Sequence, residues 1–180
     1  MKALIMAADG FEDMELHYPL YRLKEEGWDV TIAGPYKGIM TGKHGYTTIA
    51  DTTFSKLVPK EYDLLVIPGG KAPEAVRLDM DALKTVKRFM DEDRPVAAIC
   101  HGLQVLASAG TLDGRKATCW KGIRDDIIAA GAIYSDSEVV VDGSLVTSRM
   151  PDDLPAFMRE VFRLAARAGI KAAARLKKAA

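Results

Sequence analysis

Residues 94–110 read RPVAAICHGLQVLASAG, and the fold follows from how this stretch is parsed. Pro95 to Ile99 is a short, β-prone apolar run of the kind buried on both faces of a parallel sheet. It stops at Cys100, His101 and Gly102, and helix formers begin at once. The same passage from buried strand to helix recurs on either side. KALIMAA (2–8) is a continuous apolar run, and Leu16, Leu20 and Leu23 follow at helical spacing, with Gly27 as the stop. WDVTIAG (28–34) predicts a second strand, and GIMTGKHGYTTI (38–49) a small side hairpin. YDLLVIPGG (62–70) is a third buried strand. Residues Met80 to Glu92 then predict a helix with Leu83, Val86, Phe89 and Met90 inward. GIRDDIIAAG (122–131) reads as a helix closed by Gly131, SEVVVDGSLVTS (137–148) as a hairpin around Asp142-Gly143, and a last helix starts near Asp152. Alternating buried strands and helices predict a doubly wound α/β sandwich, with ligands at the carboxyl ends of the strands.

Composition narrows the function. The chain has 180 residues, enough for one sizeable domain and too few for two ordinary ones. Basic and acidic residues number 25 each, so no global field selects nucleic acid or a membrane. No apolar run approaches the roughly 20 residues of a membrane span. MKALIMAADGFED (1–13) reads as a first strand rather than a signal peptide, and a cytoplasmic location is expected. Cys100 and Cys119 do not make a disulfide framework, and two cysteines with three scattered histidines lack zinc-ligand spacing. No metal or cofactor is expected.

Three loops fall on one edge of the sheet: DGFEDME (9–15), PGGKAPE (68–74) and CHG (100–102). A nucleophile on a tight strand-to-helix turn is held clear of the backbone, and a helix N-terminus beneath it favours a thiolate. Cys100 is therefore the candidate nucleophile. The backbone N–H groups of the elbow and the PGG loop, at His101 and Gly70, are the candidate oxyanion donors. His101 is the candidate base, although adjacent side chains on a sharp turn can diverge. His17 is read as a surface or packing residue, His44 as a structural member of the side hairpin, and Cys119 as a packing residue. Glu74 is a candidate to orient His101, either in its own site or, projecting outward, in a neighbour's. Glu12 and Glu15 lie three apart at a helix start. Glu15 is favoured as the functional acid, protonated because a thiolate nearby disfavours a second charge. Glu12 and Trp120 are expected to wall the site.

Together these residues resemble the PfpI family of the class I glutamine amidotransferase-like superfamily. The likeness runs from FEDMELHYPLYRLKEEGWDV through TGKHGY, LLVIPGGKAPE, VAAICHGLQVLASAG and GRKATCWKGIRDDIIAAGA to VVVDGSLVTSRMPDDLPAFMRE. It implies a flavodoxin-like three-layer αβα sandwich with a mostly parallel sheet and a nucleophile elbow, built as one domain. It implies a homo-oligomer, dimer or hexamer, with Cys100 as nucleophile, His101 as its partner, Glu74 supplied by the adjacent subunit, and Glu15 hydrogen-bonded to the cysteine. Two features depart from the family pattern. Trp120 stands where family hydrolases carry Tyr, and a basic helical extension, about residues 168–180, runs past the usual end. Arg159, Arg163, Arg167, Lys171 and Arg175 recur every four residues there and read as a solvated face.

Three activities share these residues. One is a cysteine hydrolase of the intracellular peptidase or deglycase type. The second is a glutathione-independent glyoxalase acting on methylglyoxal, and the third a redox-sensing chaperone without turnover. The expected substrate is accordingly a small aldehyde or a peptide. A glutamine amidotransferase needs a late histidine, and none follows His101.

Overall fold

Apolar runs with no polar face must be covered on both sides, and the sheet is built around three of them. The computed structural model describes the backbone of residues 1–179 and the side chains of residues 1–169. In chain order the elements are β1 (Lys2–Met6), α1 (Asp13–Glu25), β2 (Asp29–Gly34), β3 (Gly38–Thr41), β4 (Thr47–Ala50), β5 (Thr52–Thr53), β6 (Leu64–Ile67), α2 (Ala72–Val76) and α3 (Met80–Asp91). There follow β7 (Val96–Ile99), α4 (Leu103–Ser108), β8 (Lys116–Ala117), α5 (Arg124–Ala129), β9 (Ile133–Tyr134), β10 (Val139–Asp142), β11 (Leu145–Ser148) and α6 (Leu154–Ala179). The main sheet has seven strands in the order β10-β11-β7-β6-β1-β2-β5. All its pairings are parallel except β10 with β11, the hairpin turned by Asp142-Gly143. Every residue of β6, β7 and β11 is buried.

Connectivity places the helices. The chain leaves β1 toward β2 through α1, then returns across β1 to β6 and continues to β7 through α3. Right-handed crossovers in opposite directions put α1 and α3 on opposite faces. Accordingly α6 packs on α1, while α2, α3 and α5 pack on α4, which completes the three-layer αβα sandwich. The order reverses between β1 and β6, and a doubly wound sheet opens its crevice beyond the carboxyl ends of such strands. The loops after β1 and β6 meet there through an isolated bridge between Phe11 and Gly70. β3 and β4 form the expected side hairpin outside the main sheet.

Among the described residues, no helix is long and apolar enough to cross a membrane. Arg159, Arg163 and Arg167 are exposed on α6, as a solvated stripe requires. The continuation of the stripe at Lys171 and Arg175, and most of the extension at 168–180, lies outside the residues whose side chains are described.

Gly70 is the tightest point of the loop bridge. It has φ +78°, and a Cβ there would stand 2.3 Å from the Gly10 carbonyl oxygen and 2.4 Å from the Glu12 nitrogen. Both obstacles are backbone and cannot turn aside. Gly70→Ala is expected to lower the unfolding free energy by roughly 2 kcal/mol or more, read from urea denaturation.

Candidate active site

At the end of β7 the backbone of Cys100 turns to φ +60°, a left-handed conformation that costs a non-glycine residue roughly 1–2 kcal/mol. A single 3-10 turn, Cys100–Gly102, then leads into α4. This twist resolves the adjacency of the two side chains, because it brings Cys100 Sγ to 3.3 Å from His101 Nδ1 within one chain. The backbone N–H groups of His101 and Gly70, the two candidate oxyanion donors, favour the ionised thiol, and the Glu15 carboxyl opposes it. Gly69 sits at the centre of the group. A Cβ there would stand 2.6 Å from Glu15 Oε2, 2.8 Å from Cys100 Cβ and 2.9 Å from the His101 nitrogen.

Glu15 is fully buried in the first turn of α1. Its Oε2 accepts the Gly69 N–H at 2.8 Å, and its Oε1 has no nitrogen or oxygen partner. Burial, reinforced by the charge of Glu12, pushes Glu15 up to about 8 against the Gly69 hydrogen bond, so the carboxyl is protonated at neutral pH. Burial, with a further push from Glu15, also raises the Cys100 thiol, and the His101 and Gly70 N–H groups only partly offset this. Burial of Cys100, which is 8% exposed, thus works against the thiolate expected from the N-terminus of the six-residue helix behind it. Burial lowers His101 as well, against the opposing pull of Glu74, which favours a neutral imidazole.

Cys100, His101, Glu15, Glu12, Glu74, Gly70 and Trp120 line one cavity of about 620 Å³. Every candidate site residue therefore reaches the same place. Glu74 stands exposed on α2 at the rim, and among the described residues no hydrogen bond joins it to His101. Cys119 is buried beside Trp120, with its thiol pushed up to about 12 by burial, as a packing residue would be.

A family model described as the DJ-1/PfpI family matches residues 1–164. The chain belongs to the DJ-1/PfpI family. It is 55% identical over 164 residues to the deglycase PfpI of Pyrococcus furiosus, covering 91% of this chain and 99% of that one. It is 42% identical over 166 residues to the protein/nucleic acid deglycase 2 of Escherichia coli, covering 91% and 96%. A crystal structure from Anabaena variabilis, of a two-domain protein containing DJ-1/ThiJ/PfpI-like and ferritin-like domains, matches with a TM-score of 0.89 at 37% identity. That match covers 94% of this chain and 50% of the other. In this DJ-1/PfpI chain the matched span holds all of the cavity-lining residues named above.

The structure adds residues that pattern alone did not single out. His44, read as a structural member of the hairpin, lines the cavity, with Nε2 3.2 Å from Glu12 Oε2; Lys43 Nζ stands 3.9 Å from the same oxygen. Asp13 makes this possible. Its buried carboxylate accepts the His44 N–H at 2.8 Å and the Tyr46 N–H at 2.9 Å, pinning the β3–β4 turn to α1. Glu12, Asp13 and His44 bring ligand-type atoms within 4.8 Å of one another, and each Asp13 oxygen accepts one of these backbone donors. The trio is a structural joint between helix and hairpin.

Glu15 gives a stability signature with a definite sign. Its folded value, about 8, lies above its ordinary value of 4.5, so between these pH values the unfolded chain releases a proton that the folded chain keeps. Stability therefore falls as pH rises through that window, by up to roughly 1.4 kcal/mol per pH unit. Glu15→Gln should remove this slope, checked by urea unfolding at several pH values between 5 and 8.

Proposed function

We propose that this chain is a cysteine-dependent hydrolase of the deglycase type, which releases amines and thiols from their adducts with 2-oxoaldehydes. The observation that carries the reading is the elbow itself: a sulfur 3.3 Å from a ring nitrogen, on a left-handed residue, with Gly69 and the buried Glu15 packed beside it. The relatives named as deglycases support the choice of chemistry.

The resting pair is a neutral thiol beside a neutral imidazole. Attack therefore couples two events: Cys100 Sγ bonds to the adduct carbon while its proton passes to His101 Nδ1. The proton then leaves with the departing amine or thiol, which yields a hemithioacetal on Cys100. Moving a proton from the hemithioacetal carbon to the neighbouring carbonyl carbon isomerises it to a thioester without any oxidant. Water cleaves the thioester to a 2-hydroxy acid and restores the thiol. Glu15, protonated at neutral pH with Oε1 unpartnered, is placed to donate toward the sulfur or the developing oxyanion, beside the Gly70 and His101 N–H groups.

A three-carbon aldehyde fills only a fraction of a 620 Å³ cavity, whereas an adduct carrying an amino-acid side chain uses it more fully. This favours deglycation over a glyoxalase acting on free aldehyde. Peptide hydrolysis is the second reading: there the sulfur would bond to the scissile carbonyl, the amine would leave with the proton from His101, and water would cleave the resulting peptidyl thioester. The exposed position of Glu74, felt by His101 but not bonded to it, fits the family expectation of a homo-oligomer, dimer or hexamer. In that assembly a neighbouring subunit's Glu74 would orient the imidazole.

Release of N-acetylarginine from its methylglyoxal adduct, measured beside cleavage of a fluorogenic peptide, tests the assignment. Cys100→Ala should cut adduct release by about a thousandfold or more while leaving the fold intact by circular dichroism. Undiminished release in that variant would refute the assignment. Cys100-dependent peptide cleavage with no adduct release would establish the peptidase instead.

A further inference from the structure

Arg149 makes three hydrogen bonds and reaches neither the cavity nor the reacting sulfur. It follows β11, whose last residue, Ser148, is in register with Ile99, so Arg149 lies level with Cys100. Its Nε and Nη2 donate to Asp153 Oδ2 and Oδ1 at 2.8 and 3.1 Å, a bidentate grip on a carboxylate that is 6% exposed. The Asp153 N–H donates in turn to the Met150 carbonyl at 3.0 Å. The residues enclosed by this clasp, Met150, Pro151 and Asp152, form one wall of the cavity.

The third bond runs the other way. Arg149 Nη1 donates to Asp136 Oδ1 at 2.6 Å, just beyond β9. β9 pairs with β8, and the Ser135 N–H donates to the Ala117 carbonyl at 3.0 Å. The next N–H along, that of Thr118, donates to Thr147 Oγ1 on β11 at 2.9 Å. Two residues later Trp120 forms a second wall. One guanidinium thus holds the Met150–Asp152 turn directly and, through Asp136 and β9, braces the strand that leads to Trp120. Because its fork is planar and rigid, a lysine at this position would keep the charge but hold one arm at a time.

We propose that Arg149 is a positioning residue that holds the Met150–Asp152 wall and the Trp120 wall at a set separation over Cys100, and so selects substrates by their bulk. This rests on the reading that substrate enters this cavity to reach Cys100. Arg149 contributes no group to the chemistry; its effect is on which electrophiles reach the sulfur.

The test compares two reagents with the same reactive group and different bulk, iodoacetamide and 5-iodoacetamidofluorescein. Their second-order rates at Cys100 are read by mass spectrometry in a Cys119→Ala background. In Arg149→Met the ratio of bulky to small alkylation should rise roughly threefold or more, with Arg149→Lys between it and the parent. Asp136→Ala removes only the exposed arm and leaves the Asp153 clasp, so it should fold normally and give a smaller rise. It keeps the test decisive should Arg149→Met not fold. A ratio that stays within about 1.5-fold of the parent in Asp136→Ala and Arg149→Lys overturns the proposal. The ratio is read without turnover, so a parent protein that alkylates at Cys100 yet releases no amine counts against the deglycase reading alone.

Discussion

The left-handed backbone of Cys100 is the constraint on which the rest of the site depends, because it alone turns two adjacent side chains toward each other. Such a residue would relax if its surroundings allowed it, and three features forbid that. β7 is hydrogen-bonded on both sides, to β6 and β11, so the approach to the elbow cannot shift. Gly102 packs so closely on β6 that a Cβ there would stand 2.4 Å from the Ile67 carbonyl oxygen. Gly69 then brings the neighbouring loop against Cys100 and Glu15 together. The strain is local, while the restraint comes from the whole centre of the sheet.

Burial sets the electrical state of this group. A thiolate, an imidazolium and two carboxylates packed this closely and largely buried would carry a heavy desolvation cost. Burial instead favours a neutral thiol and a neutral imidazole, and raises Glu15 to about 8. Glu12 Oε2 faces His44 Nε2 at 3.2 Å and Lys43 Nζ at 3.9 Å. Reactivity on the proposed reading comes from handing a proton from Cys100 to His101 at the moment of attack. A resting anion is not required.

The fold was legible because its strands are short, wholly apolar and punctuated by glycine, so that VAAI, LLVI and ALIM admit few other readings. Cys100, Glu15 and Gly70 were legible for a related reason: each lies where a buried strand or a helix start meets a turn, and the strand order brings those turns together. What escaped pattern reading depends on side-chain direction. His44 sits in an exposed hairpin, and nothing in TGKHGY says that Asp13 will fold it back onto Glu12. The upward push on the Cys100 thiol depends on how deeply the elbow is covered, which spacing does not reveal. Nothing in the sequence around Arg149 says that Asp136 and Asp153 converge on it from separate segments.

The β3–β4 hairpin takes no part in the main sheet and is tied to the loop after β1 by the joint at Asp13 and by backbone bonds from Gly10 N–H to the Thr41 carbonyl and from Lys43 N–H to the Phe11 carbonyl, both 2.8 Å. Changes at its exposed turn therefore leave every strand pairing of the seven-stranded sheet in place. Descendants of such a chain could exchange this flap and acquire new clientele while inheriting the reactive centre unchanged, which makes the hairpin the natural place for the lineage to diversify.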